Sequence, residues 1–337
     1  MKILVTGGCG YIGSHTIVDL LEQGHDVICV DNCCRSSVQV IDDIWKVTGK
    51  KPIFYNLDLI NIGELRNVFL EHMNIAGIIH FAAYKAVGES VMNPLLYYQN
   101  NLQSLMNVLS CCEEFRISNI VFSSSCTVYG QPDSIPVTEL SPIKPAESPY
   151  GATKQMCEQI LRDFVRRPGN TQSVCLLRYF NPAGAHPSGL LGEMPTGAPQ
   201  NLVPVIVEAA AGKRPALTVF GADYPTKDGT CIRDYIHVCD IASAHRLALE
   251  YIQTRPKNVH VFNLGAGKGV SVLEAIHAFE SATGVSVPHT ISARRPGDVC
   301  AIYADNSLSQ STLGWKIMYD LESIMKTAWD FYCRRKQ

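Results

Sequence analysis

Short runs rich in β-branched residues alternate, through the first half of the chain, with longer stretches whose apolar positions recur every three or four residues. The runs at 3–5, 27–30, 53–55, 78–81, 120–123 and 174–177 read as strands. The stretches at 12–23, 41–47, 62–71, 95–115 and 150–166 read as helices. The strand runs do not alternate apolar with polar residues, which is the pattern of strands buried on both faces of a parallel sheet. Strand–helix alternation at this spacing predicts an α/β fold with a doubly wound parallel sheet.

After about residue 180 the texture changes. Residues 181–204 are rich in glycine and proline and fit no single regular element. A loop this long in a compact protein usually has a function. Shorter mixed elements follow, among them a helix over 272–283 with Ser271 as its N-cap. The expected organisation is a first domain over 1–180 and a smaller mixed α/β domain over 181–337.

Composition narrows the class. The 337 residues carry 29 Lys and Arg against 31 Asp and Glu, a net charge of −2. With a pI of about 6.5, the chain lacks the basic excess that nucleic-acid binding needs. No apolar stretch reaches the roughly 18 residues of a membrane span. Glycines end the apolar run at the N-terminus before it reaches the length of a signal peptide. A cytoplasmic protein with neither a nucleic-acid nor a membrane partner is expected. The 13 cysteines include no C-x-x-C, and the doublets at 33–34 and 111–112 have no histidine at zinc-ligand spacing. Reduced structural thiols and no bound metal follow.

Chemistry enters at residues 2–13, KILVTGGCGYIG. Gly7, Gly10 and Gly13 stand straight after a strand and open a helix. One closes a tight turn, one lets the backbone approach a pyrophosphate, and one permits helix–strand packing. The freed amides at the helix start then point at phosphate oxygens. Asp31 ends the next strand, 18 residues after Gly13, where a carboxylate accepts from an adenine-ribose diol and repels a 2′-phosphate. NAD is favoured over NADP, with Arg35 leaving some room for the latter. The doubly wound sheet is then of Rossmann type. Asp58, after the third strand, suits an adenine contact and a helix cap equally.

A second motif, Y-x-x-x-K, comprises Tyr150 and Lys154, which share one helix face. A phenol is a poor base near neutrality because its pKa is about 10. A lysine cation and a positive nicotinamide both favour the phenolate and draw that value down. The motif lies behind a hydroxyl-rich strand end, Ser123, Ser124 and Ser125, where a serine can bond a hydroxyl under oxidation. Taken singly, each of these serines fits a polar strand-to-loop transition as well. Neither a G-x-S-x-G elbow nor H-E-x-x-H is present. The glycines at 265–269 suggest a phosphate loop, yet Phe262 and Gly269 stand where that motif needs Gly and Ser or Thr. His15, His80 and His237 read as satisfying local hydrogen bonds.

Together these residues resemble the extended short-chain dehydrogenase/reductase family, in particular its members that epimerise UDP-hexoses. Matching segments run from end to end: VTGGCGYIGSHT at 5–16, HFAAYKAVGES at 80–90, SSSCTVYG at 123–130, SPYGATK at 148–154, LRYFNPAGAHPSG at 177–189, NLVP at 201–204, DGTCIRDYIHV at 228–238, NLGAG at 263–267 and RRPGD at 294–298. The resemblance implies reversible interconversion of UDP-galactose and UDP-glucose through a 4-keto sugar, with NAD retained between turnovers. Tyr150 would be the base, Ser125 would bridge the C4 hydroxyl, and Lys154 would hold the nicotinamide ribose. It implies cofactor contacts at Gly7, Gly10, Tyr11, Ile12, Gly13, Asp31, Asn32, Asp58, Leu59, Phe81, Ala82, Lys85, Asn100, Tyr150, Lys154 and Phe180. Substrate contacts carry over to Ser125, Tyr150, Tyr179, Asn181, Asn201, Leu202, Phe220, Arg233, Arg295 and Asp298. For Tyr179 and Phe180 a plain core role fits nearly as well. Relatives pair as homodimers through the helices at 95–115 and 150–166, so the resemblance implies a homodimer, while the apolar positions Leu102, Leu105, Met106, Leu109, Met156 and Ile160 fit an intramolecular core equally.

Some positions depart from the family pattern: Ala83–Tyr84 replaces a more usual Gly-Leu, Ser104 a frequent glycine, and Lys227 a frequent acid. Ile302 falls where relatives differ between a tyrosine and a small residue, which leaves acceptance of N-acetylhexosamines open. Two alternatives keep the fold: an epimerase of another UDP-sugar, such as a glucuronate or xylose, and a non-catalytic NAD-binding module. A 4,6-dehydratase is disfavoured, because Cys126 and Thr127 stand where such enzymes carry an Asp-Glu pair.

Overall fold

The structure, a computed structural model, describes residues 1–255, 257–295 and 299–335. In the first half, strands β1 (Lys2–Thr6), β2 (Asp26–Asp31), β3 (Ile53–Asn56), β4 (Ile75–His80), β5 (Asn119–Ser125) and β6 (Ser173–Tyr179) alternate with helices. These are α1 (Tyr11–Glu22), α2 (Gln39–Thr48), α3 (Ile62–Glu71), the pair α4 (Val87–Met92) and α5 (Pro94–Glu114), and α6 (Pro149–Arg166). The second half supplies β7 (Asn181–Ala183), α7 (Leu202–Ala210), β8 (Leu217–Phe220), β9 (Ile232–Arg233), β10 (Tyr235–His237), α8 (Val238–Gln253) and β11 (Val259–Leu264). It continues with β12 (Val270–Ser271), α9 (Val272–Thr283), β13 (His289–Ser292), α10 (Ser307–Leu313) and α11 (Leu321–Arg335).

All six expected strands form, with ends within three residues of the expectation. They join a parallel sheet in the order β11-β6-β5-β4-β1-β2-β3. The lack of apolar–polar alternation has its cause here, since successive strand residues enter two different cores. Ile3, Val5, Cys29, Ile79, Val121 and Cys175 pack on one face. Leu4, Ile28, Ile78, Ile120, Phe122 and Val174 pack on the other. The strand order reverses between β1 and β4, the switch point at which such sheets bind ligands beyond their carboxyl ends.

The second half of the chain does not stay apart from this sheet. β11 pairs with β6 as the outer strand, and α8 packs its buried face on the same core as α1. Residues 238–264 therefore belong to the sheet layers, although they lie beyond the expected division at 180. A third core joins α7, β8, α9 and α11 through Ile206, Leu217, Ile276, Phe279 and Met325. The helix expected over 272–283 has those bounds because a capping box starts it and Gly284, at φ 72°, ends it. Among the described residues no helix is long and apolar enough to cross a membrane.

Candidate active site

The site is built on strand ends. After β1 the chain turns at Gly7, with φ 68°, and a Cβ there would stand 2.7 Å from the Ala82 amide nitrogen. A Cβ at Gly13 would lie 2.3 Å from the Gly7 carbonyl oxygen, so α1 can begin beneath the loop only with glycine there. Gly10 caps α1 without any side-chain bond, which leaves the amides of the first turn for another acceptor. That donor set at a helix N-terminus suits a pyrophosphate. Ile12 packs against the core, and the Tyr11 hydroxyl donates to the Gly184 carbonyl at 2.6 Å, tying the loop to the second half.

At the end of β2 the Asp31 carboxylate accepts from the Cys9 amide (3.0 Å), the Cys33 amide (2.8 Å) and the Ser36 hydroxyl (3.1 Å). Burial raises its pKa, against the pull of these bonds. The Asn32 amide donates to Asp58 at 2.9 Å. Asp58 does not cap a helix: it accepts from the Ile60 amide, while Asn61 caps α3. The buried Leu59 offers its carbonyl to the Asn107 side chain. Beyond β4, the Phe81 amide bonds the Thr6 carbonyl at 3.0 Å, which places Ala82 beside Gly7. Lys85 pairs with Glu193 at 3.1 Å, and the Asn100 side chain donates to Asn101 at 3.0 Å. Open helix amides, a turn only glycine can make, and an acid at the end of β2 together fit NAD.

Ser125 ends β5, and Tyr150 and Lys154 lie in the opening turns of α6. Ser148 starts that helix, accepting from the Gly151 amide with Pro149 at the first helical position. Lys154 is buried, donates to the Ser123 carbonyl at 2.7 Å, and stands 4.8 Å above the Phe122 ring centroid. The Ser125 hydroxyl favours the ionised form of the Tyr150 phenol. Burial is the larger effect and pushes the phenol well above its ordinary range. It likewise lowers Lys154 to about 8. Among the chain's own groups, burial prevails over the pull expected from the lysine cation. Lys154 Nζ lies 5.9 Å from the Tyr150 ring centroid, and burial outweighs whatever it offers.

The three serines have three different partners. Ser123 bonds the Tyr179 hydroxyl, Ser125 accepts from the Thr127 amide at 3.3 Å, and Ser124 points the other way to Glu158 at 2.6 Å. Glu158 and Arg178, which sequence reasoning missed, form a fully buried pair with bonds of 2.8 and 2.6 Å. The available clue was one arginine inside the apolar run CLLRYF. His80 bonds Thr6 at 2.8 Å, and burial lowers it to about 3, so it stays neutral behind the site. His15 and His237 bond the Tyr11 carbonyl and the Cys239 amide, as expected.

On the substrate side, Phe180 is buried with Val128, Tyr129, Val137 and Ile302. The Asn181 amide bonds the Asp234 carbonyl at 2.9 Å, and its side-chain Oδ1 is buried with no hydrogen-bond partner. Asn201 opens α7, directly before Leu202, and its side chain donates to Glu193 at 2.7 Å. Arg233 on β9 donates to the Ile232 and Val299 carbonyls at 2.8 and 2.7 Å. Arg295 stands 5.6 Å above the Phe220 ring centroid. Asp298 lies outside the described residues. The glycine turn at 265–267 holds no phosphate geometry of its own, because the Ala266 and Gly267 amides bind the buried Asp234 carboxylate at 2.6 and 3.1 Å.

A model of the NAD dependent epimerase/dehydratase family matches residues 3–265. The chain belongs to this family. It is 48% identical over 329 residues to the UDP-glucose 4-epimerase of Bacillus subtilis (strain 168), covering 98% of this chain and 96% of that protein. It is 47% identical over 328 residues to the one from Neisseria meningitidis serogroup B, covering 97% and 96%. Among solved structures, it is similar to the UDP-glucose-4-epimerase of Stenotrophomonas maltophila with bound NAD and formylated UDP-arabinopyranose. The TM-score is 0.96 at 45% identity, over 100% of this chain and 99% of that one. The Bifidobacterium longum enzyme in complex with NAD+ and UDP gives 0.94 at 44%, over 100% and 99%. The family read from the motifs and the Rossmann-type sheet are both borne out.

Proposed function

We propose that the protein interconverts UDP-galactose and UDP-glucose by epimerising the hexose at C4, with tightly bound NAD. The observation that carries this is the convergence of Ser125, Tyr150 and Lys154 at the carboxyl end of β5, in a chain similar end to end to UDP-glucose 4-epimerases. When bound, NAD supplies a reversible hydride acceptor. Tyr150 takes the C4 hydroxyl proton and returns it when the hydride goes back to C4, and the return of that hydride makes the cycle redox-neutral. Ser125 orients that hydroxyl and the phenol together. Lys154, fixed by the Ser123 carbonyl, presents its remaining protons to the nicotinamide ribose. Burial raises the Tyr150 phenol, and a positive charge beside it would favour its ionised form.

Arg233 and Arg295 suit the substrate diphosphate, since a planar guanidinium gives charge-assisted bidentate bonds. The unpaired Asn181 Oδ1 supports a nearby donor on the substrate. Asn201, Leu202, Phe220 and Asp298 complete the substrate set, and the cofactor set is the one named above. We assign 1–180, with the returning 238–264, to cofactor binding and the remainder to substrate binding. A cytoplasmic homodimer fits the exposed Met92, Leu95, Met106 and Met156 on α4, α5 and α6. Cys126 and Thr127 leave a dehydratase without its acids.

The deciding experiment is conversion of UDP-galactose to UDP-glucose, followed by NMR with purified protein and no added NAD. Conversion is the expected result, and none even with NAD supplied would overturn the reading. Ile302 carries a second prediction. It is buried against Phe180, and tyrosine there would add bulk to the same cluster. Ile302→Tyr should lower turnover of UDP-GalNAc relative to UDP-galactose, and an unchanged ratio of the two rates would remove Ile302 as a gate.

A further inference from the structure

Behind the carboxyl end of β5 lies a buried polar network that the proton transfer does not use. The geometry points to Ser124, Glu158 and Arg178 as positioning residues for the epimerisation: together they lock the strand end that presents Ser125 to the helix that presents Tyr150 and Lys154. This rests on those three groups being the reacting set.

The register makes the case. Ser124 on β5 pairs directly with Arg178 on β6, one rung before Ser125 pairs with Tyr179. Glu158 follows Lys154 by four residues and Tyr150 by eight, so all three share one stripe of α6. Its carboxylate takes the Ser124 hydroxyl at 2.6 Å and the Arg178 guanidinium at 2.8 and 2.6 Å. One side chain of the catalytic helix thereby grips both strands at a single rung. Arg178 extends the lock to the Tyr129 hydroxyl at 3.0 Å, which donates to Asn263 on β11 at 2.6 Å.

Stability alone does not account for such a pair. Glu158 and Arg178 are each 2% exposed, and burying two charges costs about as much as their attraction returns, so apolar replacements are often as stable. Placement is what the pair adds, because an error of about 1 Å at reacting atoms can cost on the order of a hundredfold in rate. The carboxylate also acts on charge. Lys154 faces Tyr150, Cys157 and Glu158 of its own helix and His80 of β4. Burial lowers the lysine, while Cys157 and Glu158 support its cation.

Two variants test this in the intact protein, with Tyr150→Phe alongside. Ser124→Ala removes one hydroxyl and leaves the ion pair. Glu158→Leu/Arg178→Met replaces the pair with side chains of similar bulk, and its melting temperature reports whether it folds. In each, kcat should fall roughly ten- to a hundredfold, with the KM for UDP-galactose and the NAD content unchanged. In the double variant the alkaline limb of kcat should move to lower pH, as Lys154 loses its proton earlier. Wild-type kcat and an unmoved limb in both variants would overturn the proposal. Should the double variant not fold, Ser124→Ala decides alone. Loss of turnover in Tyr150→Phe with wild-type rates in these variants rejects the positioning role only. Full turnover in Tyr150→Phe rejects the reacting set, and the proposal with it.

Discussion

Replacing Tyr150 by phenylalanine should lower kcat by roughly two to four orders of magnitude, the usual worth of a positioned acid–base group, while the purified variant still carries NAD. The phenol is buried at the end of β5, and the Ser125 hydroxyl is the side-chain partner that favours its ionised form. Phenylalanine keeps the ring and its packing and removes only the oxygen that exchanges the C4 proton. His80 cannot take over, because burial lowers its pKa to about 3, which makes it a poor proton acceptor, and its ring is engaged by Thr6. Turnover by NMR and cofactor content after denaturation check the two halves separately. A variant as active as wild type would eliminate Tyr150 as the base.

The second large effect is expected at Gly13. An alanine Cβ would stand 2.3 Å from the Gly7 carbonyl oxygen and 2.9 Å from the Gly8 Cα. Both are backbone atoms, so no side chain can swing aside, and the loop must part from α1. Overpacking of this kind costs about 1 to 3 kcal/mol. Gly13→Ala should purify with little or no NAD and melt at a lower temperature. Gly63→Ala is the comparison: it sits in α3 with its nearest atom 3.4 Å away, and there alanine should favour the helix by about 1 kcal/mol. Full cofactor occupancy in Gly13→Ala would separate this loop from NAD binding.

The features legible in the sequence were those set by local pattern. Strands such as 27–30 and 120–123 announce themselves because both faces are buried, and the turn at Gly7 because only glycine fits it. Tyr150 and Lys154 were legible from helix periodicity once a strand end stood before them. β11 was not, since His260 and Asn263 interrupt its apolar run, and its place in the sheet is decided by β6. The pairings β9–β12 and β8–β13 join short segments far apart in the chain, beyond the reach of any local pattern. Which serine does what depended on strand alternation combined with Glu158 on another element. The height of the Tyr150 pKa depended on burial, which no motif reports.

The late return of the chain to its own sheet has a consequence for synthesis. Between Tyr179, which ends β6, and Val259, which opens β11, lie 79 residues. At about 5 to 20 residues per second, a ribosome takes roughly 4 to 16 s to make them. Throughout that interval the growing chain presents the outer edge of β6 as a row of unpaired amides and carbonyls, a template for pairing with another chain. The nascent protein is thus most open to aggregation after β6 is made and before β11 arrives to cover it, and a fragment stopped at 180 would keep that edge for good.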